Sequence, residues 1–313
     1  MKLGIAVVYL FGETSAPLLD LHLGQIEKHT QVPYTIYGSI NRLAPQYRER
    51  LQGYPKVQTH ELPATELRDM QEHSLYLDQL MRIAIEDGAT HLVTLHLDSF
   101  PVRSGWAEEL AGRLNDFSPE RRRDANHAAC VFASIDRIQT ACLFFTREWF
   151  LRYQPPLMLS AAQRADPRYA QYVREHDPIE HSGIGYGFTA YLNGQTWYYL
   201  RDTSGAAPGA RGRVYDGMIF HLHAGVRMGE QAPRRTGLLS RPFYVRLAYA
   251  VARLGRHALP VRLKWWMRDH LGWFLYPVLD RPRLDAHAAE VEELKRQLYQ
   301  DPEGYLNKLR PGP

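Results

Sequence analysis

Apolar runs and amphipathic stretches alternate along the first 115 residues of the chain. Leu3 to Phe11 carries no charge, the pattern of a central parallel strand. Gly12-Glu13-Thr14-Ser15 follows, and Ser15 is placed to N-cap a helix from Ala16 to Thr30. Leu18, Leu19, Leu21, Leu23 and Ile26 give that helix its buried face. Val32 to Ile40 predicts a second strand, ending at Ser39-Ile40-Asn41, and Lys56 to Leu62 a third. From Glu66 to Asp87 a broad stripe containing Leu75, Leu77, Leu80, Met81, Ile83 and Ile85 predicts a long helix, closed by Gly88. The run starting at His91 reads as a buried strand that ends in Asp98, before a proline turn and a short helix from Gly105 to Asn115.

This alternation predicts a mostly parallel sheet with helices on both faces. Beyond Arg121-Arg122-Arg123, which reads as a solvated turn or, alternatively, a phosphate contact, the pattern changes. Ala128 to Ile135 and Gln139 to Phe145 are joined by a short connection and predict an antiparallel pair. Glu180-His181-Ser182-Gly183 introduces a helix from Ile184 to Asn193, and Thr196 to Leu200 predicts a further strand. The chain contains no internal repeat.

Composition narrows the class. At 313 residues, 45% hydrophobic and 23% charged, the chain belongs with globular proteins and not with disordered ones. No apolar run approaches the roughly 20 residues that span a bilayer, and the apolar N-terminus reads as a first strand, not a signal peptide. Two cysteines, Cys130 and Cys142, form neither a disulfide framework nor a zinc spacing, which predicts a reduced, cytoplasmic protein.

The candidate chemistry centres on Asp98. In open α/β sheets ligands bind beyond the carboxyl ends of the strands, where a carboxylate can hold a divalent metal or a ribose. His221 and His223 alternate along an expected late strand and so share a face, suiting a metal or a structural pair. His22, His29, His60, His73 and His127 show no grouping and read as surface or cap residues.

Taken together, these segments resemble the GT-A glycosyltransferase fold, and within it glycosyltransferase family 2. The resemblance is carried by the polar turn after the first strand, by Asn41, by Leu95 to Trp106, by Glu180-His181-Ser182-Gly183 and by the stretch Tyr215 to Gly225. It covers about residues 3 to 228. It implies a mixed, mostly parallel GT-A sheet flanked by helices, and an inverting, hexosyltransferase-like enzyme. Such an enzyme passes a sugar from a nucleotide-sugar donor to a glycan or lipid-linked acceptor.

On this resemblance Phe11, Glu13, Thr14, Asn41, Asp98, Ser99 and Arg227 would bind the donor. Asp98, His221 and His223 would hold a divalent Mg or Mn. Glu180, His181 and Asp177 are the candidates for the base. Asp98-Ser99-Phe100 then keeps the first acid of the family's Asp-x-Asp motif and has phenylalanine in place of the second. A non-catalytic protein of the same fold, binding a nucleotide or glycan, is the alternative.

The net charge of +4 is concentrated in the C-terminal third. Residues 1–235 are expected to form the nucleotide-sugar domain and residues 236–313 a basic, aromatic-rich helical region. From Ser240 to Asp280, arginines interleave with Trp265, Trp266, Trp273 and Phe274, and Pro260 divides two expected helices. That composition suits a helix at a membrane surface, at the inner face, or a helical appendage packed on the catalytic domain. A peripheral membrane module with another α/β activity is a further alternative. No recognised motif supports nucleic-acid binding. Ala286 to Tyr299 predicts a last, charged helix.

Overall fold

The computed structural model describes residues 1–67, 69–114, 130–135, 138–178, 181–205, 211–223 and 281–309. In chain order the elements begin with β1 (Leu3–Val8), α1 (Ala16–His29), β2 (Tyr34–Ser39), α2 (Pro45–Gln52), β3 (Val57–His60) and α3 (Asp69–Glu86). The chain continues through β4 (His91–Leu95), β5 (Ser99–Pro101), α4 (Trp106–Arg113), β6 (Cys130–Ile135) and β7 (Cys142–Thr146). Next are α5 (Arg147–Tyr153), α6 (Ala161–Ala165), α7 (Pro167–His176), α8 (Ile184–Leu192) and β8 (Thr196–Leu200). Last are β9 (Arg213–Tyr215), β10 (Ile219–His221), α9 (Arg281–Gln300) and α10 (Pro302–Leu309).

The main sheet has seven strands in the order β3-β2-β1-β4-β7-β6-β8. Parallel pairing joins β1 to β2 and β4, β2 to β3, and β6 to β8, while β7 is antiparallel to both of its neighbours. One strand is therefore reversed in an otherwise parallel sheet, and the mixed, mostly parallel architecture is as expected. The predicted antiparallel pair is β6 and β7. β1 to β3 progress one way from β1, and β4 lies on its other side. Right-handed crossovers then set α1 and α3 on opposite faces of the sheet.

Burial explains the elements. All of β1 except Val8 is buried, because the strand is paired on both edges and covered by helices. Gly4 stands where a Cβ would lie 2.9 Å from Ala84 Cβ of α3, so its lack of a side chain lets that helix approach the strand. Leu77, Leu80, Met81 and Ala84 of α3 share one core cluster with Phe132, Phe145, Trp149 and Tyr186. Gly88 ends α3 in the left-handed region (φ 84°), with Ala89 N–H donating to Ala84 O and Gly88 N–H to Ile85 O.

Several expectations shift. The first strand stops at Val8, and a 3-10 turn over Glu13–Ser15 precedes α1, at whose N-cap the Ser15 side chain makes no capping bond. The late strand is two short ones, β9 and β10, which with β5 form a second sheet in the order β5-β10-β9. Arg281–Gln300 is longer than the expected last helix, and α10 follows it.

The chain divides into two compact units, residues 1–223 with 297–313, and residues 224–296. Within the first, the tail packs back on the sheet domain: Glu303 receives Lys28 Nζ at 2.6 Å, and Tyr305 sits edge-on to Phe220. In the second, the described stretch of α9 carries the ion pairs Lys295–Glu292 and Arg296–Glu293. The expected paired helices of residues 240–280 lie outside the described residues. No described helix is long and apolar enough to cross a membrane.

Candidate functional site

Strand order reverses between β1 and β4, and in an open α/β sheet such a switch point leaves a crevice beyond the strands' carboxyl ends. The chain leaving β4 there makes a tight turn. His96 N–H donates to Ser99 Oγ at 2.8 Å, Ser99 N–H to His96 O at 3.0 Å, and Ser99 Oγ donates to Ala141 O at 2.5 Å. The Asp98 carbonyl accepts the Leu222 N–H at 2.9 Å, and His221 pairs with Ser99 in the β5–β10 register. Backbone bonding thus brings the end of β10 alongside the turn.

Three side chains meet as a result. Asp98 Oδ1 lies 3.8 Å from His221 Nε2 and 4.0 Å from His96 Nδ1. One ligand atom from each of His96, Asp98 and His221 falls within 4.8 Å of the others, a set able to hold a metal ion. The Asp98 and His221 side chains are only 4% and 5% exposed, whereas His96 is 24% exposed and gives the site its opening.

The two imidazoles are held in forms suited to coordination. Burial, reinforced by the charges of His223, His96, His181 and Arg211, holds the His221 pKa well below its ordinary value. The ring is therefore neutral near pH 7, and its Nδ1 is buried with no hydrogen-bond partner. His96 Nε2 lies 3.0 Å from Thr140 Oγ1. An Nε2–H donated to that hydroxyl leaves Nδ1 as the lone-pair nitrogen facing Asp98. The residues present fit a divalent metal.

The structure changes the motif. The partner of Asp98 is His96, two residues upstream, and not the residue two positions downstream. Phe100 is fully buried with its ring 5.0 Å from Phe220, so it belongs to the packing under the site. His223 is not among the three clustered ligands. β10 ends at His221, and His223 adopts a left-handed conformation (φ 63°) that returns its ring to 4.3 Å from the His221 ring. Its Nε2 is 2.8 Å from Tyr215 Oη.

The other expected contacts divide sharply. Ser99 is fully buried and its hydroxyl braces the turn. Asn41 is likewise engaged within the fold. Its amide oxygen accepts the Leu62 N–H and the Ser39 hydroxyl while its amide nitrogen donates to Leu62 O, so it clamps the ends of β2 and β3 together. Phe11 is 6% exposed and packs on Tyr47, and Glu13 is exposed at the end of the first strand's loop. The side chain of Thr14, and all of Glu180 and Arg227, lie outside the described residues. Asp177 is the exposed left-handed cap of α7 (φ 40°). His181 stands within electrostatic range of His221, and the adjacent Ser182 hydroxyl is 2.8 Å from Ser74 Oγ of α3.

Three of the histidines read as surface or cap residues are buried or packed on another ring. His22 is fully buried with Nδ1 3.1 Å from Ser99 O, and His73 packs edge-on against His96 at 5.1 Å. His29 is also buried. His22 braces the Asp98 turn from α1, while burial lowers its pKa to about 4.

No family model matches the chain, and no curated protein matches it. Among solved structures, the chain aligns with the apo form of mouse xyloside xylosyltransferase 1. The alignment has 12% identity and a TM-score of 0.38, covering 64% of this chain and 85% of that one. A likeness of that strength carries no argument about chemistry.

Proposed function

We propose that the protein is a metal-dependent glycosyltransferase of the GT-A type. It would transfer a hexose-like sugar, with inversion, from a nucleotide-sugar donor to a glycan or lipid-linked acceptor. The observation that carries this reading is the buried Asp98 carboxylate at the switch point of a mixed α/β sheet, facing His96 and His221. A divalent metal held by these three side chains would neutralise the charge that develops on a nucleoside diphosphate leaving group.

The remaining steps belong to the chain. The turn built by Ser99 and Leu222 fixes Asp98 and His221 in advance, so little reorganisation accompanies reaction. Arg211, also near His221, would add a positive charge to the site. Of the three candidates for the base, His181 is assigned that role, a choice supported by its lying within electrostatic range of His221. As the acceptor oxygen bonds to the anomeric carbon and the carbon–phosphate oxygen bond breaks, the hydroxyl proton passes to His181. The basic region from residue 236 onward is proposed to bring the enzyme to an anionic membrane surface on the cytoplasmic side.

Turnover of a panel of UDP- and GDP-sugars with Mn²⁺ tests the reading, with Asp98→Asn and His181→Gln alongside. Release of nucleoside diphosphate that both substitutions depress, Asp98→Asn by about 100-fold or more, supports it. Nucleotide-sugar binding without turnover would instead mark the non-catalytic alternative.

A further inference from the structure

The donor set itself says which ions the site should take. Of the three clustered ligands one is a carboxylate and two are imidazoles, and among the described residues no second carboxylate joins them. The wider surroundings are also imidazole-rich: His73 packs on His96, and His223 on His221. Mg²⁺ demands oxygen ligands and gives up water reluctantly. Imidazole suits the later first-row ions, whose affinity for nitrogen sites rises from Mn²⁺ toward Cu²⁺. Here two of the three positions offer nitrogen, and the Asp98 and His221 side chains are nearly closed to water. A bound divalent ion would retain a net charge of about +1 against the single carboxylate. Mg²⁺ would therefore lose hydration without gaining the anionic oxygens that compensate it.

We propose that the His96–Asp98–His221 site selects a nitrogen-accepting first-row transition ion over Mg²⁺, and that His96 is the residue that sets this selectivity. The inference rests on the metal reading of the site given above, but it concerns the ion alone and needs no sugar chemistry. Thr140 contributes as a positioning residue, because its hydroxyl turns the His96 ring so that Nδ1 faces Asp98. The partial exposure of His96 leaves room for an ion to arrive from solvent past that ring.

Co²⁺ is the probe, since its d–d absorption reports both binding and nitrogen ligation. The full-length protein, free of metal, is titrated with Co²⁺ and then challenged with Mg²⁺. A preference of about 100-fold or more for Co²⁺ is expected, and His96→Asp should narrow it by about tenfold or more by weakening Co²⁺ and strengthening Mg²⁺. If His96→Asp does not fold, His96→Ala at this partly exposed position should shift and weaken the d–d band, His221 remaining as the other nitrogen ligand, and should weaken Co²⁺ more than Mg²⁺. Displacement of Co²⁺ by equimolar Mg²⁺, or a His96 variant with an unchanged Co²⁺ to Mg²⁺ ratio, overturns the proposal. Its failure is distinguishable from failure of the enzymatic reading. Sugar transfer supported equally by Mg²⁺ and Co²⁺ would sink only the selectivity, and Co²⁺ bound at His96 in a protein without transferase activity would sink only the function.

Discussion

Acidification should weaken the fold through His22. The ring is fully buried, packs T-shaped with Tyr9 and holds its Nδ1 against Ser99 O, leaving Nε2 with no partner. Burial lowers its pKa from 6.5 to about 4, opposed by the weaker effect of the Ser99 and Leu97 carbonyls. The unfolded chain therefore binds a proton that the folded protein refuses between those values. Stability from this group is complete above about pH 6.5 and is lost as pH falls toward 4. The linkage relation gives a loss of about 2 kcal/mol between pH 7 and 5, and about 3 kcal/mol by pH 4. Urea unfolding of the wild type and His22→Asn across that range measures it. Asparagine can still donate to Ser99 O but does not titrate, so its stability should fall less steeply by those amounts, whatever the substitution costs at neutral pH. Parallel pH profiles for the two proteins would refute the assignment of this acid sensitivity to His22.

Three further outcomes follow from the same geometry. Thr140→Val keeps the shape of a fully buried side chain but removes the hydroxyl that orients His96. Metal affinity should drop about tenfold by Co²⁺ titration while Thr140→Ser retains it. Gly185→Ala places a Cβ 1.9 Å from the Pro156 carbonyl oxygen, so α8 must shift and the urea midpoint should fall by an amount equivalent to about 1–3 kcal/mol. Asn41→Asp replaces the donor to Leu62 O with an acceptor and should destabilise by about 1–3 kcal/mol, with unchanged Co²⁺ binding.

The long periodic segments were readable because packing and local pattern agree. The stripe of α3 and the charge-free β1 are paired with each other in the core, and Thr196–Leu200 is β8 to the residue. The short helices were less visible in hydrophobicity, although their caps are in the sequence. Thr146 caps α5, Ser160 and Gln163 form a capping box, and Asp301 before Pro302 caps α10. Asp98 was found because a polar residue ends an apolar run. His96 was hidden inside that run, yet the chain leaves strand geometry after Leu95 and turns both side chains into one site. Downstream of Asp98 the Asp-x-Asp spacing falls on the packed Phe100, whereas the same spacing upstream falls on His96. Thr140 and His22 carry no such signal. The first reaches His96 through the pairing of β4 with β7, and the second reaches Ser99 from α1 across 77 residues of sequence.

The most direct measurement is an anomalous diffraction map from crystals of the full chain grown with Mn²⁺ and a nucleoside diphosphate. One Mn²⁺ peak is expected, bonded at about 2.0–2.3 Å to His96, Asp98 and His221, with diphosphate oxygens completing its shell, and no such peak in Asp98→Asn. A diphosphate bound away from Asp98, or Mn²⁺ sites that leave His96 and His221 without a bond to the ion, would contradict that expectation.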